Sequence, residues 1–216
     1  MATRPVPSKL LRAPKQPDFQ QERAKKSYLA LLQAAGQLFA THSYDEVGTP
    51  EIAQRAGVST GTFYRYFEDK QQIYLEVTRS TLAAAYTDTV AQLTPAALSG
   101  LARHETIRHT LSILFGHILD RPRLSLSFWE MALRDPAVAK VRREFDELSI
   151  SMLTELITAI VPRSVVPDPA ATAYVVYISV MQTALSLSGA AGGPMVDPER
   201  AKKALADFLE RALFPG

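Results

Sequence analysis

A short segment of the chain concentrates hydroxyl, phenol and glycine residues. The segment TGTFYRYF, residues 60–67, includes Thr60, Thr62, Tyr64 and Tyr66. A solvent-facing helix usually carries Glu, Lys and Gln, which lose little rotamer entropy there, but this segment has no acidic residue before Glu68. Hydroxyl groups and phenols bind phosphate oxygens, and Ser and Thr also contact base edges. We therefore predict that this segment contacts DNA.

The residues before this segment predict the turn that positions it. Thr49 is a suitable N-cap for a first short helix, with Pro50 at its first helical position. Gly57 ends that helix, because glycine adopts the left-handed conformation without steric cost. Ser59 then caps a second helix that runs to Phe67. Helix, glycine turn and capped helix together form the pattern of a helix-turn-helix.

Basic residues are concentrated near the N-terminus, although the formal net charge of the chain is only +2. The first part of the chain carries Arg4, Lys9, Arg12, Lys15, Arg23, Lys25 and Lys26 against Asp18 and Glu22. Such an arm would be attracted to phosphates, and its DNA affinity would fall with salt. Its prolines equally fit a solvated, flexible tail over residues 1–19, and both interpretations stay open. Lys25 and Lys26, at the entry to the first helix, are the better candidates for phosphate contacts.

The spacing of apolar residues predicts an all-α protein. A first helix over about 20–41 forms a three-helix unit, residues 20–68, with the two short helices. Asp69 caps a fourth helix that runs to about residue 93 and joins this unit to a larger helical domain, residues 69–216. The fourth helix would therefore act as a lever between the two parts.

The segment LLQAAGQLFATHSYDEVGTPEIAQRAGVSTGTFYRYFEDKQQIYLEV resembles the DNA-binding domain of TetR/AcrR-type transcriptional regulators over about residues 29–77. The string IA–AGVS–GTFY–YF–K carries most of this resemblance. Two positions depart from the usual pattern. Ser43 stands where the family commonly has glycine, and Gly48 stands where it commonly has threonine, which removes one hydroxyl contact to phosphate.

The resemblance implies which residues face DNA and which belong to the core. Those facing double-stranded DNA would be Thr49, Ser59, Thr60, Thr62, Tyr64, Tyr66 and Lys70. Tyr64 and Lys70 would mainly hold phosphates, and Thr60 and Thr62 would lie nearest the bases. Phe63 and Phe67 would be core residues.

The C-terminal part of the chain predicts a homodimer interface. Residues 170–196 carry no charge, a length that could suggest a membrane span. Gln182, the many hydroxyl groups and the breaker GAAGGP argue against a span. A helix that is apolar on all sides must instead bury all sides. We therefore expect dimerisation through the last two helices, about 168–188 and 197–213, as the resemblance also implies.

Aromatic and methionine side chains of the C-terminal domain suggest a largely apolar pocket for a small-molecule effector. The candidate residues are Phe115, Leu119, Phe128, Trp129, Met152, Tyr174, Tyr177 and Met181. Each could equally be an ordinary core residue. In a dimer, recognition helices about 34–36 Å apart could read one palindromic operator, and a ligand that tilts the fourth helix could change that spacing.

The motifs of the sequence give little support for an enzymatic or metal-dependent function. Zero cysteines exclude disulfides and thiolate metal sites. His104, Glu105 and His109 form H-E-x-x-x-H, one residue longer than the zinc-protease spacing. No phosphate-binding loop, dinucleotide fingerprint or nucleophile elbow occurs, so we expect neither catalysis nor a cofactor. The N-terminus lacks a secretory signal, which favours the cytoplasm.

The sequence therefore predicts a repressor that a small apolar ligand releases from its operator. Two alternatives stay open. One is a ligand-independent DNA-binding regulator or activator. The other is a small-molecule binding module whose DNA unit is vestigial.

Overall fold

A computed structural model describes residues 22–98, 103–189 and 193–215, and the predicted basic arm, residues 1–19, lies outside this description. All regular secondary structure of the described residues is helical, which confirms the predicted fold class. The α-helices are α1 (Glu22–Thr41), α2 (Thr49–Arg55), α3 (Thr60–Tyr66), α4 (Lys70–Asp88), α5 (Arg103–Leu119), α6 (Pro122–Arg134), α7 (Pro136–Ile160), α8 (Pro169–Leu187) and α9 (Pro198–Leu213).

The fourth helix ends earlier than the sequence predicts. α4 stops at Asp88, and a short 3-10 helix, Val90–Gln92, follows it. The Thr89 hydroxyl is buried and donates to the Ala85 carbonyl oxygen, while the Thr89 backbone leaves the helical region. The apolar periodicity beyond residue 88 therefore belongs to the 3-10 helix and the following turn.

The chain divides into two compact units. The first contains described residues 22–83 together with Arg123–Glu144, and the second contains 84–122 and 145–215 without the undescribed positions. Both α4 and α7 contribute to the two units along their lengths. Contacts in space, rather than order along the chain, define these units, so their limits differ from the boundaries taken from the sequence.

The first unit has a core rich in aromatic side chains. α1 packs on α2 and α3, and the rings of Tyr28 and Phe67 stack at 5.4 Å between centroids. The Tyr28 hydroxyl donates to the Glu76 carboxylate. Burial raises the pKa of Tyr28 and also that of Glu76. This pair therefore ties α1 to α4 within the first unit.

The junction of α6 and α7 is tied to the rest of the first unit by polar contacts. Asp135 caps α7 by accepting the backbone N–H groups of Ala137 and Val138 at 2.8 and 3.1 Å. The Gln71 side-chain amide also donates to Asp135. The hydroxyl oxygens of Tyr74 and Ser127 lie 3.2 Å apart in the core. These contacts explain why the segment Arg123–Glu144 clusters with α4 rather than with the later helices.

The second unit is built around α5, α8 and α9. α5 packs on both α8 and α9. Its buried centre combines Phe115 and Leu111 of α5 with Val180 and Ala184 of α8. A second apolar cluster joins Ile157 of α7 to residues of the following loop and of α8.

One described helix, α8, is long and apolar enough to cross a membrane by length and composition alone. Its buried side supplies Ala173, Val180 and Ala184 to the core. Core helices of proteins without a membrane span pass the same test, so α8 does not indicate a membrane protein.

The glycine that ends α2 provides a direct test of backbone strain. Gly57 has φ +68°, and a Cβ added there would meet no atom within 4 Å. Gly57→Ala should therefore lower the free energy of unfolding by about 1–2 kcal/mol through conformation alone. Gly61, which is also exposed but lies within α3, is the matched control. Gly61→Ala should raise stability by about 0.5–1 kcal/mol. Urea unfolding of both variants measures the difference, and equal stabilities would contradict the assigned turn.

Candidate nucleic-acid interface and ligand cavity

The turn between α2 and α3 is closed by two backbone hydrogen bonds. The N–H of Val58 donates to the Ala53 carbonyl at 3.0 Å, and that of Gly57 donates to the Gln54 carbonyl at 3.1 Å. These bonds form a Schellman motif, which satisfies carbonyl groups at the end of α2. The motif directs the chain immediately into α3 and so determines how the two helices meet.

The cap of α3 agrees with the sequence prediction, but the cap of α2 does not. Ser59 is the N-cap of α3, and its Oγ accepts the Thr62 backbone N–H at 3.1 Å. Gly48, rather than Thr49, is the N-cap of α2 and makes no side-chain capping bond. Thr49 is the first helical residue of α2. Pro50 follows it in the first turn, where N–H groups lack intrahelical acceptors and a proline is tolerated. The prediction of Thr49 as N-cap was therefore wrong.

α3 presents a buried aromatic side and an exposed polar side. Phe63 and Phe67 have exposed fractions of 0% and 1%. Tyr64, between them in sequence, is 54% exposed, and its hydroxyl oxygen lies 3.1 Å from Thr49 Oγ1. The outer surface of α3 and its cap consists of Ser59, Thr60, Gly61, Tyr64 and Arg65, with Thr62 and Tyr66 half-buried. The two phenylalanines thus anchor the helix, while Thr60 and Tyr64 lie on its exposed side.

The candidate DNA contacts Tyr66 and Lys70 also have partners within the protein. The Tyr66 ring meets the Tyr28 ring edge-on at 6.0 Å. Lys70 Nζ donates to the Tyr44 carbonyl oxygen at 2.8 Å and lies 4.2 Å from the centre of the Tyr44 ring. Burial lowers the pKa of Lys70. A phosphate would therefore have to share the Lys70 ammonium group with Tyr44, a constraint that the sequence does not reveal.

Lys25 and Lys26 are exposed on the first turns of α1. Arg65 is exposed on α3 but was absent from the predicted DNA-contacting set. The sequence contained one indication that Arg65 could contact DNA, because it is the basic residue of TGTFYRYF. All residues of this interface remain predictions as contacts to DNA.

The second unit contains a partly open cavity of about 120 Å³. Its wall is formed by leucine, isoleucine and valine side chains from the 3-10 helix, α5, α7, α8 and α9, with Phe145, Tyr177 and Phe214 as the aromatic members among the described residues. The Tyr177 hydroxyl donates to the Asp146 carboxylate. Because most of the lining side chains are aliphatic, the cavity is largely apolar.

Of the predicted ligand-binding residues, Tyr177 and Met181 line this cavity. Phe115 belongs to the buried core beside it, and Leu119 packs against that core. Tyr174 is 55% exposed on α8, and Met152 is half-buried on α7.

Phe128 and Trp129 belong to the first unit and are not among the described residues that line this cavity. Phe128 is buried, and the Arg142 guanidinium lies 3.5 Å above the Trp129 ring. A ligand contact at these two positions therefore stays a prediction. Helical periodicity indicates which residues share a face, but it does not say which helices meet.

The sequence-based set missed the face of α7 that lines the cavity, which includes Phe145, Ser149, Leu153 and Leu156. These positions recur at spacings of three and four. Ser149 is an isolated hydroxyl within that apolar stripe, and this interruption was the one signal that could have marked it. Among the described residues, no group of three or more histidines, cysteines or acids could hold a metal ion.

A helix-turn-helix with an exposed polar face, joined to further elements that are all helical among the described residues, is typical of DNA-binding transcriptional regulators. Residues 31–77 match the model of bacterial regulatory proteins of the tetR family, and residues 103–213 match that of the BetI-type transcriptional repressor, C-terminal. The chain belongs to the TetR family of bacterial transcriptional regulators. Members of this family regulate transcription and are not enzymes.

Individual relatives agree with this assignment. The HTH-type transcriptional regulator BetI of Burkholderia mallei is 25% identical over 181 residues, covering 80% of this chain and 89% of the relative. The transposon Tn10 TetC protein of Escherichia coli is 29% identical over 147 residues, covering 67% of this chain and 68% of the relative.

Solved structures support the fold. GusR of Salmonella enterica has a TM-score of 0.68 at 18% identity, covering 90% of this chain and 98% of its own. A putative transcriptional regulator from Saccharomonospora viridis, in complex with choline, has a TM-score of 0.67 at 20% identity, covering 86% and 96%.

Proposed function

We propose that this protein is a homodimeric repressor that binds a palindromic operator and is released by a small, largely apolar ligand. The observation that carries the DNA-binding part is the two-sided structure of α3. Phe63 and Phe67 are buried, whereas Tyr64 and the hydroxyls of Ser59 and Thr60 face outward. Such groups suit contacts to phosphates and base edges. The repressor role is supported by the match to a BetI-type repressor model.

The homodimer is supported by an apolar surface on the last two helices. Tyr174, Val175 and Ile178 of α8 have exposed fractions of 55%, 55% and 40%, and Phe208 of α9 is 53% exposed. Exposed apolar groups at helical spacing form a patch that a second copy can cover by twofold symmetry. We propose that α8 and α9 form this interface.

Dimerisation gives the short recognition helix its specificity. One α3 of seven residues contacts few base pairs, whereas two copies related by twofold symmetry read two half-sites about 34–36 Å apart. The operator would therefore be palindromic. The partner of the homodimer would be double-stranded DNA, and the protein would act in the cytoplasm.

Ligand release is supported by the apolar cavity of the second unit. The Saccharomonospora viridis neighbour binds choline, so a related fold accommodates a small molecule. Since α4 and α7 both continue from the second unit into the first, a ligand that shifts either helix could change the position of α3. By reciprocity, operator binding would weaken ligand binding by the same factor.

Electrophoretic mobility shifts on the DNA that flanks the gene of this protein, with and without candidate ligands, test the whole proposal. Binding that a ligand reverses supports the repressor model. Binding that no ligand changes favours a ligand-independent regulator or activator, and absence of binding at low salt favours a vestigial DNA unit.

Substitution of Tyr64 tests the interface itself. Tyr64→Ala should weaken operator binding by about 1 kcal/mol, or roughly fivefold in Kd, the scale of one hydrogen bond. Tyr64→Phe, which keeps the ring, should reproduce most of this loss if the hydroxyl contacts phosphate. Light scattering should give the same molar mass for both variants as for the original chain. Unchanged affinity would place the DNA-binding surface elsewhere.

A further inference from the structure

The cavity of the second unit is small and uncharged. Its volume of about 120 Å³ is close to that of an engineered cavity, about 150 Å³, whose Leu, Ile and Phe lining admits benzene. None of the described residues that line it carries a formal charge. The site therefore fits a compact ligand whose surface is mainly hydrocarbon.

One polar atom in the cavity wall has no partner. Ser149 is 1% exposed, and its Oγ makes no hydrogen bond to any described residue. A buried hydroxyl without a partner destabilises a protein, and buried polar groups are normally satisfied. The oxygen has almost no accessible surface, but Ser149 lines the cavity, so rotation of its side chain to another staggered rotamer would let a hydroxyl or carbonyl group on a ligand complete this hydrogen bond.

The wall is unfavourable for a cation. The guanidinium of Arg103 lies 4.0 Å from the centre of the Phe214 ring, so a positive charge already occupies one face of an aromatic ring that lines the cavity. The Asp146 carboxylate accepts the Tyr177 hydroxyl and does not form part of the described wall. A cation in this cavity would meet no acidic group among the described lining residues, would have only the aromatic rings of the wall to offset its lost hydration, and would be repelled by Arg103.

We propose that this cavity binds a neutral, compact aliphatic molecule with one hydroxyl or carbonyl group hydrogen-bonded to Ser149, and that it discriminates against quaternary ammonium ions. The proposal rests on the ligand-binding part of the function proposed above and specifies its chemical class. It separates this chain from its choline-binding structural neighbour.

Choline and its neutral carbon isostere, in which a tert-butyl group replaces the trimethylammonium group, form a matched pair of probes. They share shape and hydroxyl group and differ in charge. Titration calorimetry on the full chain should show the neutral isostere binding at least about tenfold more tightly, because only the cation must be desolvated without a counter-ion. Choline binding as tightly as the isostere would overturn the proposal. Failure of both to bind in the millimolar range would also overturn it.

Substitutions in α7 test the position of the ligand. Ser149→Ala removes an unpaired hydroxyl and should fold normally. It should weaken binding of the neutral alcohol by about threefold to tenfold. Ser151, exposed on the same helix, is the matched control, and Ser151→Ala should leave binding unchanged. Equal affinities for the two variants would refute the role of Ser149.

A cavity-filling variant provides an independent check. Leu153→Phe adds volume at the wall and should abolish binding of the isostere. Retained binding would place the ligand elsewhere and overturn the proposal.

Mobility shifts test ligand-controlled release from DNA separately from ligand binding itself. A neutral ligand that binds in calorimetry but leaves DNA affinity unchanged would refute ligand-controlled release while leaving the chemistry of the cavity intact.

Discussion

Replacing Phe63 with alanine is expected to lower the free energy of unfolding of the DNA-binding unit by about 3–5 kcal/mol, the usual cost of removing a fully buried phenylalanine side chain. The Phe63 ring has no exposed surface. It lies 5.6 Å from the Phe67 ring and 5.3 Å from the Tyr64 ring, measured between centroids. Its loss would leave a cavity beneath the recognition helix. Urea unfolding monitored by circular dichroism measures the change.

The neighbouring residue is the matched control for this experiment. Tyr64 is 54% exposed, and Tyr64→Ala should change stability by no more than about 0.5–1 kcal/mol. The two substitutions thus separate two functions within one helix. Phe63 holds α3 in place, and Tyr64 is proposed to contact DNA. A Phe63→Ala variant within about 1 kcal/mol of the original stability would refute the anchoring role.

Replacing Ile178 with aspartate is expected to dissociate the proposed dimer and thereby abolish operator binding. Ile178 is 40% exposed on α8, so the folded protomer should tolerate the change. A twofold interface contains each substituted residue twice, and burying an unpaired carboxylate costs several kcal/mol. The dissociation constant of the dimer should therefore rise by more than about 100-fold. Light scattering and mobility shifts on the same sample test both consequences.

Leu133→Asp is the matched control for the dimer experiment. Leu133 is 84% exposed on α6, outside the proposed interface, and its substitution should leave the molar mass unchanged. If Ile178→Asp retained the dimer mass, the interface would have to lie on another surface. If it dissociated the dimer but kept full operator affinity, the two-half-site model would fail.

Interactions between residues close in sequence could be predicted from the sequence. Ser59 three residues before Thr62, the left-handed Gly57 and the buried pair Phe63 and Phe67 all follow from local geometry. The same holds for the caps at Asp69 and Asp135, whose carboxylates accept backbone N–H groups of the helices that follow. The resemblance to the TetR family that the sequence shows rests on this local pattern, because the pattern lies within one continuous segment.

Contacts between distant residues were decided by the tertiary structure alone. The sequence did not place Lys70 against Tyr44, and it did not single out Phe145 and Ser149 as cavity wall. Apolar periodicity marks which residues share a face of a helix, but it does not specify which partner covers that face. Packing selects Phe145, Ser149 and Leu153 as cavity wall and assigns α6 to the first unit. The local sequence is therefore sufficient to identify the candidate recognition helix. The shape and chemistry of the cavity, in contrast, arise only when separate helices pack together.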